Sequence, residues 1–322
     1  MTEFELIARY FSRRNDAGSA IIGNGDDCAV IAPSPGNAFA VTTDTLVEGR
    51  HFLPTIDPYK LGRRVVHVNL SDLAAMSANP RYALLSLTLP AIEDAWIAKF
   101  AEGLWSALDQ FGVELIGGNT TRGPLAIALT AMGELPPGKA LLRSGAKVGD
   151  ELWVSGALGD AGWALYCMIG DIKAQASASQ IAKYECPEAR VALGLALRGI
   201  ASSGIDISDG LLSEAAHLAA ASRVAININF ASIPTNLGAQ LASAEYGEKA
   251  RHCLLSTGDA YELLFTAPVA QHAFVADLLR TQGLVGACIG RVTASDIAAK
   301  VRVFDAQSRP MAIEIKGWDH FA

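Results

Sequence analysis

Two periodicities alternate along this chain, and that alternation limits the fold more than any other feature. The runs "NAFAVTTD" (37–44), "RYALLSLTL" (81–89), "VELIGG" (113–118) and "LAIALTAMGEL" (125–135) are β-branched or apolar, are bounded by Gly, Pro or Asp, and read as strands. Between them, Leu61, Val65, Val68, Asp72 and Met76 recur at helical spacing within 58–78. Trp96, Phe100, Leu104, Leu108 and Phe111 do the same within 94–111. This pattern predicts an α/β (α+β) chain. A second set of elements follows the Pro/Gly-rich basic stretch "PPGKALLRSGAKVGD" (136–150). It runs "ELWVSG", a helix from about 161, another from about 188, "GIDISDG", a helix from 211, "AININ", "YELLFTA", a helix at 269–282 and "VRVFDA". The basic stretch is the expected boundary between domains at 1–137 and 138–322, and 322 residues suffice for two cores.

Charge narrows the possible partners. A net charge of -7 argues against a nucleic-acid surface or a polybasic membrane surface, because phosphate backbones are bound largely by Lys and Arg. If phosphates bind here, metal ions are expected to do much of the neutralising. The start "MTEFELIARYFSRR" has glutamates where a signal peptide needs basic residues, and it reads as a short amphipathic helix. No segment approaches 18 uninterrupted apolar residues, so no membrane span is expected. The cysteines Cys28, Cys167, Cys186, Cys253 and Cys288 are scattered without a C-x-x-C pair, which suits a reduced, cytoplasmic protein.

The acids carry the functional signal. "GNGDDCAV" places Asp26 and Asp27 in a tight turn, and "VTTDTLVEG" ends a strand on Thr42, Thr43 and Asp44. In "GIDISDG", strand alternation puts Asp206 and Ser208 on one face, and Asp209 with Gly210 opens the next helix. Asp72 lies inside a helix, where aspartate is a poor former. Singly, each acid reads as a cap, an Asx turn or a solvated side chain. Jointly, in Gly/Thr/Ser contexts without matching Lys or Arg, they suit Mg²⁺ ions that also bind substrate phosphates. No G-x-x-x-x-G-K-[ST], H-R-D or D-F-G motif is present, so the P-loop and protein-kinase routes are excluded. "GALGDAG" (156–162) follows a strand and opens a helix, which suits either a phosphate site or, more simply, a tight structural turn. "IGGNTTRG" (116–123) reads as a strand end turning into a phosphate loop, with Gly117 and Gly118 permitting close backbone approach. Arg122 there is either a phosphate contact or a solvated turn residue.

Together, "GDDCAV", "TTDTLVEGRHF", "VNLSDLAAM", "GGNTTRGPL", "RSGAKVGD", "DISDGL" and "KGWDHF" resemble the blocks of thiamine-monophosphate kinases. That family belongs to the ATP-using superfamily related to aminoimidazole ribonucleotide synthetase, and the blocks run from residue 25 to residue 321. The resemblance implies a two-domain PurM/AIR synthetase-like fold. Its N-terminal sheet pairs across a homodimer into a barrel-like core, and its C-terminal α/β domain packs beside it, with the active site in the cleft. It implies ATP-dependent phosphorylation of thiamine monophosphate to thiamine diphosphate by direct transfer of the γ-phosphoryl group, assisted by several Mg²⁺ ions. Carried over by position, Asp27, Thr42, Thr43, Asp44, Asp72, Asn119, Asp206 and Asp209 are the implied metal ligands. Gly118, Asn119, Arg143 and Ser208 are implied ATP contacts, and His51, Asp259 and Trp318 are implied substrate contacts. No general base is assigned, since a phosphate oxygen is already an adequate nucleophile.

Two blocks depart from the family pattern. Asn119 stands where the family usually has Asp in G-G-D-T-T, and "TGDAYEL" replaces "GGEDYEL", with Asp259 for Glu and Ala260 for Asp. An amide oxygen can ligate Mg²⁺ without adding charge, so one weakened metal site is expected. The alternatives are a catalytically impaired protein that binds thiamine phosphate or ATP, and another enzyme of the superfamily. A selenophosphate synthetase is expected to carry a reactive Cys in a glycine-rich N-terminal segment, whereas the first cysteine here is Cys28, inside the metal turn.

Overall fold

The computed structural model describes residues 2–12, 19–24, 26–295 and 301–313. It divides into one unit of Met1–Leu73 with Ala78–Gly138 and a second of Ala74–Ser77 with Lys139–Ala322.

In the first unit, α1 (Glu3–Leu6) runs into a π-helical turn at Ile7–Phe11. Then come β1 (Ala38–Val47), α2 (Pro58–Ala75), β2 (Asn79–Leu89), α3 (Asp94–Phe111), β3 (Glu114–Arg122) and β4 (Ala126–Leu135). The sheet order is β1-β4-β2-β3, with β4 antiparallel to both neighbours and β2 parallel to β3. Strand alternation sorts the side chains. Leu46, Ile127, Leu129, Leu85 and Leu87 share the buried face, while Thr43, Thr45 and Ser86 are exposed on the other and Val41 is 61% exposed. α2 and α3 cross backbone to backbone at two glycines. A Cβ on Gly103 would lie 1.9 Å from Tyr59 O, and one on Gly62 would lie 2.2 Å from Phe100 O.

The sequence reading ended the third strand at Gly118 and began a loop there. The structure instead continues β3 to Arg122, pairing Gly118 with Leu85 and Arg122 with Leu89. The polar triplet Asn119–Thr121 has no apolar pattern of its own. Its conformation is set by the neighbouring strand, which supplies hydrogen-bond partners to its backbone.

Glu134 closes this sheet at its base. It is 5% exposed and accepts from Ser34 N at 3.1 Å and from Asn37 Nδ2 at 3.3 Å, with Arg81 Nε at 4.0 Å. Burial alone would raise its carboxyl, but the Ser34 and Asn37 hydrogen bonds and Arg81 outweigh it and hold the group below its ordinary value. A lowered folded-state value stabilises above the unfolded-state value and loses that contribution as pH falls through the folded one. Glu134→Gln should therefore cost about 1–3 kcal/mol at pH 7. Urea melts at pH 7 and pH 3.5 check this, with the gap between wild type and variant expected to narrow at the lower pH.

The second unit holds β5 (Glu151–Val154), α4 (Asp160–Met168), α5 (Ala178–Glu185), α6 (Val191–Ala196), β6 (Ser203–Asp206), α7 (Leu211–Ser222), β7 (Ala225–Asn229), α8 (Gly238–Leu241), α9 (Gly247–Ser256), β8 (Leu263–Ala267), α10 (His272–Thr281), β9 (Ala287–Thr293) and β10 (Val301–Phe304). Its sheet order is β10-β7-β9-β5-β8-β6, antiparallel throughout except for β10 with β7. Leu152, Ile205, Ile228 and Leu264 from the sheet pack with Leu211 and Leu254 from the helices. The helix expected from about 188 is α6, which begins at Val191, whereas α5, ending at Glu185 before Pro187, was not anticipated. The helix expected at 269–282 opens with a 3-10 turn at Val269–Gln271. Among the described residues, no helix is long and apolar enough to cross a membrane.

Candidate functional site

In the first unit, the candidate ligands gather where β1 meets α2. Thr42 and Asp44 are alternate residues of β1, so both point toward α2. Thr42 Oγ1 donates to Asp72 Oδ2 at 2.5 Å, and Asp44 N donates to Asn69 Oδ1 at 2.9 Å. Asn69 is itself oriented by donating to Val65 O at 2.9 Å. One helix turn thus presents Asn69 and Asp72 to the strand, which explains an aspartate inside a helix. Asn69 is buried at 0% exposure, and sequence reasoning missed it. Its spacing of three residues from Asp72 was the available signal.

Thr43 does not join them through its side chain, contrary to the expectation of a shared oxygen cluster. It faces the other side of the sheet, donating to Leu129 O at 3.2 Å and accepting from Thr130 Oγ1 at 3.1 Å. Nor does the sheet bring Asn119 to them. Asn119 lies in the row Thr45, Ala128, Ser86, Asn119 on the open face. β3 and β1 are opposite edges of the sheet, three strand spacings or about 14 Å apart. Asp27 is exposed, and its N–H donates to Asp26 Oδ1 at 2.9 Å, as in the expected tight turn. Asn24 Nδ2 donates to Leu115 O at 3.1 Å, which holds the preceding segment beside β3. A Cβ on Gly118 would meet Leu85 O at 1.9 Å, so the close approach that this glycine permits is to β2.

His51 is set by two bonds. Its Nδ1 accepts from Val47 N at 3.0 Å, and its carbonyl accepts from the buried Arg64 Nη2 at 3.1 Å. With Nδ1 accepting, the neutral ring carries its proton on Nε2, as a donor.

In the second unit, the turn 207–210 and the loop 257–261 are joined. Ile207 N donates to Glu262 O at 2.8 Å, Tyr261 N to Ile207 O at 2.8 Å and Asp259 N to Ser208 O at 2.9 Å. The fit is tight: a Cβ on Gly258 would lie 2.0 Å from Ser208 O. Asp259 (φ 65°) and Tyr261 (φ 48°) adopt left-handed conformations that cost a side-chain-bearing residue about 1–2 kcal/mol each. This junction brings Asp206, Ser208, Asp209 and Asp259 together. Ile205 and Ile207 both enter the apolar core of this unit, and the pairing with the 261–262 segment continues at Ile207, so Asp206 and Ser208 fall on the opposite side of the chain, as the alternation predicts. Trp318 lies outside the described residues.

Glu214 was also missed. From the first turn of α7 it accepts Asp209 N at 3.2 Å and Ser208 Oγ at 3.5 Å. It is 3% exposed, and burial pushes its carboxyl up to about 7. The Asp209 N–H, the Arg143 charge and Ser208 pull the other way, while the Asp209 charge adds to the rise. Arg143 is exposed, and its carbonyl accepts from Ser222 Oγ at 3.2 Å. "GALGDAG" is a structural turn, as read: Gly159 (φ 93°) starts α4, and the buried Asp160 holds Gln180 Nε2 at 3.2 Å and Asn236 Nδ2 at 2.6 Å.

Comparison with known proteins fits this geometry. The family model of the AIR synthase related protein, N-terminal domain, matches residues 25–135, and that of the C-terminal domain matches 147–302. The thiamine-monophosphate kinase of Escherichia coli (strain K12) is 41% identical over 324 residues, covering 99% of this chain and 98% of that protein. The chain belongs to the thiamine-monophosphate kinase family. A crystal structure of the thiamine-monophosphate kinase from Stenotrophomonas maltophilia K279a is 38% identical at a TM-score of 0.84, covering 94% of this chain and 96% of that one. The structure of AaThiL complexed with AMPPCP and TMP is 30% identical at a TM-score of 0.76, covering 90% and 89%.

Proposed function

We infer that this chain transfers the γ-phosphoryl group of ATP to the phosphate of thiamine monophosphate, giving thiamine diphosphate and ADP. The observation that carries this is 41% identity to a thiamine-monophosphate kinase across 99% of the chain. The fold's similarity to a relative complexed with AMPPCP and TMP supports it. Incubation of the purified protein with ATP, Mg²⁺ and thiamine monophosphate, with direct detection of thiamine diphosphate, tests it. Absence of product across a Mg²⁺ titration would refute kinase activity and favour a binding role.

Mg²⁺ is part of this reading. Among the described residues, no group of three or more His, Cys, Asp or Glu forms a ready cage. Mg²⁺ ordinarily takes one or two carboxylates, with water and substrate phosphates completing its shell, so dispersed hard oxygen donors fit it. In the first unit Thr42, Asp44, Asp72 and Asp27 would hold it, and in the second Asp206 and Asp209 would. When bound it screens the repulsion between two anionic phosphates. Gly118, Asn119, Arg143 and Ser208 contact the nucleotide in this reading. His51 offers Nε2–H to the substrate phosphate, and Asp259 and Trp318 line the thiamine side. Residues 1–137 form the ATP, Mg²⁺ and dimerisation domain, and 138–322 carry the remaining nucleotide and substrate residues. All five cysteines are free thiols, which suits a cytoplasmic setting.

The homodimer gives Asn119 a place. β1 and β3 are both sheet edges, and edges of 10 and 9 residues invite pairing. Setting β3 of one copy beside β1 of a second would close an eight-stranded barrel and bring Asn119, on the open face, to the side of the second copy's β1 that carries Thr43. The amide then acts as a neutral ligand at that edge. Asn119→Asp should lower the Mg²⁺ concentration for half-maximal activity by roughly tenfold. An unchanged Mg²⁺ dependence in that titration, or a monomeric mass by light scattering, would count against this arrangement.

A further inference from the structure

Glu262 is 2% exposed, and its carboxylate is fully engaged. Arg190 grips it with a fork, Nη2 to Oε1 at 2.5 Å and Nε to Oε2 at 2.7 Å. Ser155 Oγ donates to Oε2 at 2.5 Å, and Lys183 Nζ stands 3.8 Å from Oε1. Ser155 Oγ in turn accepts from Leu263 N at 2.8 Å. Gly156 leaves the space for this: a Cβ there would lie 2.5 Å from Glu262 Cδ. A buried ion pair adds little net stability over apolar residues of the same volume, so its value lies in what it fixes.

What it fixes is the exit of a strained loop. The backbone of Glu262 takes the N–H of Ile207, Tyr261 bonds back to Ile207, and Asp259 bonds to Ser208. The left-handed residues Asp259 and Tyr261 need surroundings that over-determine them. Resting on the assignment of Ser208 to the nucleotide and Asp259 to the substrate, we propose that Arg190 and Glu262 are positioning residues that lock the nucleotide turn 207–210 and the substrate loop 257–261 into one body, coupling ATP binding to thiamine monophosphate binding.

Arg190→Lys keeps the charge and loses the fork, and Glu262→Gln keeps the shape and loses the charge. Each is expected to raise the KM for both ATP and thiamine monophosphate on the order of 10-fold, with a smaller change in kcat. The dependence of one KM on the concentration of the other substrate should disappear, and the Asp259 and Tyr261 amides should exchange faster. A purely structural ion pair would lower Tm and leave both KM values in place, and that result overturns the proposal. If Glu262→Gln fails to fold, Ser155→Ala, which removes one bond to the same carboxylate, should shift both KM values in the same direction. If the wild-type protein shows no turnover, the kinase reading fails by itself. The exchange of the two amides in Arg190→Lys then decides the proposal: unchanged protection overturns it.

Discussion

Asp72→Asn is expected to lower kcat/KM for thiamine diphosphate formation on the order of 10²–10³-fold while leaving the fold intact. The asparagine keeps an oxygen to accept from Thr42 Oγ1, now at 2.5 Å from Asp72 Oδ2, so the β1–α2 junction survives. What disappears is one negative charge beside Asp44, at a point where two anionic phosphates must be brought together. Aspartate costs helix stability relative to most residues, and α2 continues for three residues past Asp72. An acid kept there for structure alone would be replaceable by its amide. Turnover assays with circular-dichroism melts on the same preparation separate the two roles. If the variant keeps activity within tenfold of the wild type, the Thr42–Asp72 bond is only a packing contact and the metal assignment of Asp72 falls.

Particular elements show how far the sequence reading reached. β1, β2, β4 and α3 follow from local periodicity, and α2 was found the same way although it is buried nearly all round, with Arg64, His67, Asn69 and Ser71 as covered as its apolar residues. β9 escaped it: "ACIGRVT" contains Gly290, a weak strand residue, yet a Cβ there would lie 2.1 Å from Asn227 O. Glycine is what lets β7 and β9 approach, and that need is visible only once both strands are placed. α9 escaped as well, for its N-cap Tyr246 makes no side-chain capping bond to announce the start. The site divides the same way. Local Gly and Thr contexts marked Asp27, Asp44, Asp206 and Asp209 as candidates, and the family resemblance implied their ligand role. Which face each presents did not follow, because Thr43 and Asn119 are turned from Asp72 by strand register and strand order, both set by distant pairing. Glu214 was hidden because an acid in the first turn of a helix ordinarily reads as a dipole partner.

Gly118→Ala is expected to cost about 3 kcal/mol or more, since the methyl group would sit 1.9 Å from Leu85 O and 2.8 Å from Leu85 C. Backbone cannot yield as a flexible side chain does, and the β2–β3 register already shifts nearby, between Ala83 and Leu84. Relief requires β3 to move off β2 along the segment that carries Asn119. A thermal midpoint lower by on the order of 10 °C follows for a unit of this size. The same glycine invites a different prediction if it serves only to admit a nucleotide phosphate. In that case Gly118→Ala would keep the wild-type midpoint and show only a raised KM for ATP. A melt without nucleotide therefore distinguishes strand packing from ligand approach. The structure favours strand packing, because the nearest atoms to the added methyl group belong to the neighbouring strand. An unchanged midpoint with a raised KM would assign Gly118 to the nucleotide alone.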